Sequence, residues 1–108
     1  MASKHFLVTL NYAKDFYYHR IPHHLAHIKH FKKFSSKHKI VMVGGTEFPE
    51  HSAAIIMSAP NAQLIEELIT SDVFFKNKLI NQFLIEELDP VTENSLEEIA
   101  RKYEYTCT

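Results

Sequence analysis

The sequence contains little cysteine, which can crosslink the chain, and little glycine, which makes the backbone flexible. Its 108 residues include one cysteine, Cys107, and two glycines, which are adjacent. A single cysteine excludes an intramolecular disulfide and a cysteine-rich zinc site, and it suits the reducing cytoplasm, where we expect the protein. No stretch approaches the roughly 20 apolar residues of a membrane span. The N-terminus also lacks the basic and apolar segments of a signal peptide, so no membrane partner is predicted.

Neither sign of charge predominates. Lys and Arg number 12 and Asp and Glu number 13, for a formal net charge of -1. Proteins dedicated to nucleic acids usually carry a basic patch and a high pI, so no nucleic-acid partner is predicted. The 45% of hydrophobic residues and 23% of charged residues are typical of one globular domain. Histidine is the abundant type, with eight residues.

The order of apolar and polar residues predicts an α+β protein. Strands are predicted at 5–12, 39–43, 53–57 and 79–88, and helices at 21–36, 62–69, 73–78 and 96–103, with 13–20 as a loop. The first part of this order is the ferredoxin-like split βαβ order, βαββαβ. We therefore expect a four-stranded antiparallel sheet with helices on one face over residues 1–90, and an additional C-terminal helical tail over 91–108.

The two middle strands predict a homodimer. Residues 40–43 and 53–57 are apolar without alternation, although a sheet with one wet face should alternate. Continuous apolar runs indicate that both faces are covered, and the helices cover only one. Burial gains about 25 cal/mol per Å² of apolar surface, so a second copy of the sheet is the expected cover. The tail helix is the alternative cover.

The histidines of the predicted helix at 21–36 are the first candidates for chemistry. On a helical wheel His24 lies inside an apolar stripe formed by Ile21, Leu25 and Ile28, with Phe31 at its edge. An inward imidazole with a carboxylate neighbour can act as an acid and base, because imidazole titrates near working pH. A structural histidine of the core, satisfied by its neighbours, is the alternative.

A metal site is the less favoured interpretation of the histidine spacing. His19, His23 and His27 are spaced i, i+4, i+8, which places them near one helix face. Zinc sites need three or four converging ligands, usually with supporting carboxylates, and none is evident beside these residues. No metal is therefore predicted.

Other polar and aromatic residues complete the candidate site. Asp72 follows Ser71 at a predicted helix N-terminus, where capping alone would explain a carboxylate. Thr9 and Asn11, on the alternate face of the first strand, are candidate pocket contacts. Gly44 and Gly45 mark a tight turn or a backbone that a ligand approaches. Tyr17, in the aromatic loop before the helix, either lines a pocket or packs the loop down.

Several of these segments together resemble the YCII-related (YciI-like) domain family, within the dimeric α+β barrel superfamily. The resemblance runs from about His5 to Pro90. Its marks are the opening strand His-Phe-Leu-Val-Thr-Leu, the stretch Arg-Ile-Pro-His-His-Leu-Ala-His-Ile, a strand ending Val-Gly-Gly, and Ser-Asp-Val-Phe-Phe-Lys before the last strand. His24 stands at the family's histidine and Asp72 at its aspartate. Val73 departs from the proline usual after that aspartate, and Thr46 stands where a Gly-Pro pair is expected.

The resemblance implies a dimer with a His–Asp pocket between sheet and helices. It implies lyase or isomerase chemistry on a small cyclic organic molecule, such as dehydrochlorination or lactone isomerisation, without a cofactor. His24 would then move a proton and Asp72 would orient its ring. A module that binds a small ligand without chemistry, and a structural dimer, are the alternatives.

Overall fold

The computed structural model describes residues 3–46 and 51–88, and within them a four-stranded antiparallel sheet. The strands are β1 (Lys4–Tyr12), β2 (Ile40–Gly45), β3 (Ser52–Ala59) and β4 (Ile80–Leu88), in the spatial order β2-β3-β1-β4. β1 pairs with β3 and β4, and β3 pairs with β2. This is the ferredoxin-like arrangement, so the predicted fold class is confirmed.

One face of the sheet carries the core. In β1 the side chains alternate, and Phe6, Val8 and Leu10 are buried. Their partners across the sheet continue the same face, because directly paired residues of neighbouring strands point to the same side. Val8, for example, pairs with Ile55 of β3 and Ile85 of β4. The buried cluster joins this face to the helices through Phe16, Ile65, Leu68, Ile69 and Phe74.

The helical segments follow the predicted order, with local differences. Residues 13–20, expected as a loop, contain α1 (Phe16–His19), because Phe16 is buried against the core. The predicted helix at 21–36 begins as a 3₁₀ turn, Ile21–His23, with Pro22 in its first turn, and continues as α2 (His24–Ser35). α3 (Ala62–Thr70) is capped by Asn61, whose side chain accepts from the Leu64 N–H at 2.9 Å. α4 (Val73–Lys76) is a single turn.

The opposite face of the sheet is not covered by these helices. Leu7 lies there between Ile56 and Glu86, and Thr9 between Ala54 and Leu84. Two exposed apolar side chains extend this face, Val41 at 43% and Leu84 at 55%.

The predicted tail, 91–108, lies outside the described residues, so its helix at 96–103 stays a prediction. Within 3–46 and 51–88, no helix has the length and apolar character to cross a membrane.

Candidate functional site

A buried carboxylate and a partly exposed imidazole meet between α2 and the start of α4. His27 Nδ1 lies 2.6 Å from Asp72 Oδ2. A carboxylate oxygen can only accept a hydrogen bond, so Nδ1 carries the hydrogen and donates the hydrogen bond to Asp72 Oδ2. The other ring nitrogen, Nε2, is therefore the one that can exchange a proton with a bound molecule. The side chain of His27 is 22% exposed and that of Asp72 is 1% exposed, so the contact is made away from bulk water.

Two aromatic rings fix the orientation of the imidazole. The His27 ring stacks on Phe74, with centroids 4.0 Å apart and planes 7° from parallel. Phe31 lies one turn later on α2, and its ring centroid is 4.6 Å from that of His27. Phe74 is itself buried and meets Phe16 edge to face at 5.4 Å. A ring held by stacking and by a hydrogen bond has little freedom to rotate, which keeps Nε2 in one direction.

Asp72 occupies a helix N-cap position without capping the helix. It has the extended backbone typical of an N-cap, but its side chain makes no capping hydrogen bond. One carboxylate oxygen bonds His27 instead, and the other, Oδ1, is buried with no hydrogen-bond partner among the described residues. Capping, the simpler interpretation of this residue from sequence, is therefore wrong. Since buried carboxylates are costly unless they are paired, the His27 contact is the interaction that holds Asp72 in place.

His24 is not the histidine that contacts Asp72. It is exposed, as are Ile21 at 63% and Leu25 at 73%, so this part of the apolar stripe faces solvent, whereas Ile28 is half-buried. The inward side of α2 is instead formed by His27 with Phe31 and Phe34, two residues packed against the core. These three residues are spaced i, i+4, i+7, which is the signal that identifies His27 from sequence.

A second histidine ties α2 to α3. His30 Nε2 donates to the Leu68 carbonyl at 2.8 Å, and the Ser71 hydroxyl lies 3.1 Å from the same nitrogen. Asp72 follows Ser71 in the chain, so these contacts lie beside the His27–Asp72 pair. They hold α2 close to the segment that carries Asp72.

Two hollows lie on the helix side of the fold. One, of about 640 Å³, runs between α2 and α3 past His30 and Leu68. The other, of about 440 Å³, lies between the end of β1, the 3₁₀ turn and the turn after α4. We call this second one the basic hollow; its polar lining residues are Lys14, Tyr18, His19, His23, Asn77 and Lys78. Neither His27 nor Asp72 is among the residues that line these two hollows.

The predicted substrate-binding residues are divided by the sheet. Thr9, Gly44 and Gly45 do come together, around a hollow of about 290 Å³. However, Thr9 lies on the open face, as does Asn11, which pairs with Ser52 and Gln82. Both therefore lie on the alternate face of β1, as expected, and on the opposite side of the sheet from the helices; their contact with a ligand stays a prediction.

Tyr17 is on the helix side of the fold. It is partly buried, and the Arg20 guanidinium lies over its ring at 4.9 Å. Tyr17 also meets Tyr18 edge to face, with ring centroids 5.4 Å apart. Its contact with a ligand stays a prediction.

The histidine series at 19, 23 and 27 does not converge. The ring of His27 is turned to Asp72, whereas His19 and His23 line the basic hollow. In the described ranges, no three His, Cys, Asp or Glu side chains are grouped so that they could hold a metal ion.

Comparison with known proteins supports the fold. No protein-family model matches the sequence, and no curated protein matches it. A similar solved structure is that of 5-chloro-2-hydroxyhydroquinone dehydrochlorinase (TftG) from Burkholderia phenoliruptrix AC1100, in complex with 2,5-dihydroxybenzoquinone. The match has a TM-score of 0.63 and covers 81% of this chain and 95% of TftG, at 18% identity. This chain shares the fold of TftG.

Proposed function

We propose that the protein is a small enzyme of the lyase or isomerase type, which moves a proton on a small cyclic organic molecule. The observation that carries the proposal is the 2.6 Å contact between His27 Nδ1 and Asp72 Oδ2. With the Nδ1–H bonded to the carboxylate, Nε2 is left with a lone pair that can accept a proton, which general acid–base catalysis requires. His27 thus takes the role that the sequence alone favoured for His24.

The proposed step begins when Nε2 removes a proton from carbon or oxygen of the bound ring. The electron pair of the broken bond then forms a new double bond in the substrate. In an isomerisation an existing double bond shifts, and the imidazolium returns the proton to the atom that receives the displaced electron pair. In an elimination a leaving group departs with its electron pair, and the imidazolium then releases its proton to water. The Asp72 carboxylate keeps its hydrogen bond to Nδ1 and so holds the ring in place in both cases.

The fold comparison supports the substrate class. TftG is named for its action on a chlorinated, hydroxylated ring, and its structure contains a dihydroxybenzoquinone. A hydroxylated six-membered ring is therefore the first substrate class to test here. The resemblance to YCII-related proteins points to the same kind of chemistry and adds lactones to the set.

The experiment compares two histidines on one helix. Chlorinated hydroquinones, hydroxyquinones and lactones are incubated in D₂O with the wild type, His27→Gln and His24→Ala, and deuterium incorporation and chloride release are followed by NMR and ion chromatography. We expect turnover by the wild type and His24→Ala, and a loss of at least about 100-fold in His27→Gln, the lower range for one acid–base group. Loss in His24→Ala with full activity in His27→Gln would refute the assignment.

A ligand-binding protein without turnover is the second candidate. It is favoured by the position of the two helix-side hollows, since neither is lined by His27 or Asp72. The same incubations separate the two functions. A compound that binds wild type and His27→Gln with equal affinity, with no deuterium exchange in either, would support binding alone.

We also propose that the protein works as a homodimer through the open face of the sheet. That face carries Leu7, Val41, Ile56 and Leu84 across all four strands, and the helices leave it exposed. An apolar face of this kind is unfavourable in water, and a two-fold axis would cover it with an identical face. Size-exclusion chromatography with light scattering measures the mass of the protein in solution. A monomeric mass at micromolar concentration would contradict the proposal.

A further inference from the structure

The basic hollow concentrates positive charge in a protein that has no overall excess of it. Lys14 and Lys78 line it together with His19 and His23, and among the described residues none that lines it is acidic, although Asp15 follows Lys14 in the chain. The whole chain has a formal net charge of -1. Two lysines and two histidines around one hollow therefore reflect their placement by the fold rather than an excess of positive charge in the chain.

The backbone at the rim is held in an unusual conformation. Lys78 has φ 61°, in the left-handed region that L-residues avoid, and so does Asp15, with φ 63°. Glycine adopts this conformation without a penalty, whereas a lysine does so at a cost to stability. The Lys78 turn is fixed by its own N–H, which donates to the Phe75 carbonyl at 3.0 Å. A charged side chain is thus kept at a position where glycine would be more stable.

Two chain segments that line the basic hollow also lead to the His27–Asp72 pair. His23 lies four residues before His27, a separation of about one helical turn or roughly 5–6 Å along the axis. Asn77 and Lys78 follow α4, the helix that begins directly after Asp72. A volume of about 440 Å³ lies within the range of small-molecule sites. Segments that line the hollow are therefore adjacent in the chain to both members of the pair.

We infer that the basic hollow binds the oxyanion group, a carboxylate or a phosphate, of a small organic molecule. The lysines supply charge and the two imidazoles supply N–H donors to the anion oxygens, which are acceptors only. The further step, that the rest of this molecule reaches His27 and is the substrate, rests on the proposed function. The binding of the anion does not.

The test is an NMR titration with three probes that share one phenyl ring: benzoate, phenyl phosphate and neutral benzyl alcohol. The proteins are the wild type, Lys14→Gln, Lys78→Gly and, as a matched control, Lys33→Gln, which removes an exposed lysine beside the other hollow. Lys78→Gly is suited to the test because glycine fits the left-handed backbone, so loss of binding cannot be attributed to misfolding.

We expect benzoate or phenyl phosphate to bind the wild type and Lys33→Gln alike and to shift the His19 and His23 ring signals. Each of the other two substitutions should weaken binding about fivefold, as expected for one exposed charge. Benzyl alcohol should bind none of them. The relative affinity of benzoate and phenyl phosphate identifies the acidic group. Equal affinity in all four proteins, or no binding of either anion to the wild type, would overturn the inference.

A fifth protein, His27→Phe, separates this inference from the proposed function. It should bind the anion as the wild type does, because His27 does not line the hollow. If a substrate is known, Lys78→Gly should raise KM and leave kcat nearly unchanged. Anion binding in a protein without turnover would leave the inference intact and refute the enzymatic proposal. Turnover of neutral rings alone, unaffected by Lys78→Gly, would refute the inference and leave the enzyme.

Discussion

The contact between His27 and Asp72 predicts an unusual pattern of stability in variants. His27→Phe keeps an aromatic ring that can stack on Phe74, 4.0 Å away in the native protein, but removes the N–H that Asp72 accepts. The carboxylate, 1% exposed and with Oδ1 already unpartnered, then has no hydrogen bond from a side chain of the described residues. Because stacking is retained, the change in stability reports mainly on the stranded carboxylate.

The magnitude follows from the burial of Asp72. Removing one partner of a buried pair costs about 3–5 kcal/mol, because a charge is left without compensation. The side chain of His27 is 22% exposed, so water replaces part of the lost interaction and we take the lower value, about 3 kcal/mol. Replacing both partners by apolar groups of similar shape is close to neutral. The double variant His27→Phe/Asp72→Leu should therefore lie within about 1 kcal/mol of the wild type.

Urea unfolding followed by circular dichroism measures both variants at one fixed protein concentration, since a dimer makes stability concentration-dependent. With a slope of about 1–2 kcal/mol per molar urea, the single variant should lose about 1.5–3 M of its midpoint, and the double variant should recover most of it. Neither should show activity. A double variant as unstable as the single one, or a single variant with an unchanged midpoint, would refute the account of Asp72 as a carboxylate held by His27.

Three further predictions concern other parts of the fold. Leu84→Glu introduces a charge on the open face and should give a monomeric mass by light scattering; an unchanged dimer would contradict the proposed interface. Asn61→Ala removes the cap of α3 and should lower the free energy of unfolding by about 1 kcal/mol without affecting turnover; a loss of activity would connect the cap to the site. Lys78→Gly should raise the free energy of unfolding by about 0.5–1 kcal/mol, since the left-handed penalty of about 1–2 kcal/mol exceeds the entropy that glycine adds. A lower urea midpoint in that variant would show that the lysine stabilises its turn.

The element order could be predicted because each strand and helix carries its own local signal. The alternation in β1 and the apolar stripe of α3 identify their buried faces, and Ser71-Asp72 correctly marks the start of a new helix. The observed β3, Ser52–Ala59, is longer than the predicted 53–57. The difference arises because its ends are defined by pairing with β1, at Lys4 and Asn11, rather than by their own side chains.

The contact between His27 and Asp72 could not be predicted in the same way. The sequence predicts Ile21 and Leu25 on the inward face of the helix at 21–36, but they are exposed at 63% and 73%. The segment begins as a 3₁₀ turn, so one helical wheel does not describe residues 21–36 with a single phase. The pairing of His27 with Asp72 also joins residues 45 apart in the chain, and it depends on how α2 packs against α4. Local periodicity contains no information about that packing.

The uncapped start of α4 has a consequence for directed evolution. Asp72 has the backbone of a capping residue, yet its side chain is turned away from the helix. Serine at this position would restore the cap, but on its own it would leave the His27 N–H without its acceptor. A library selected for thermal resistance alone should therefore become enriched in variants that replace both residues 27 and 72, while any turnover that depends on the pair declines. Selection for turnover should retain the aspartate, and the divergence of the two populations would show which property this residue serves.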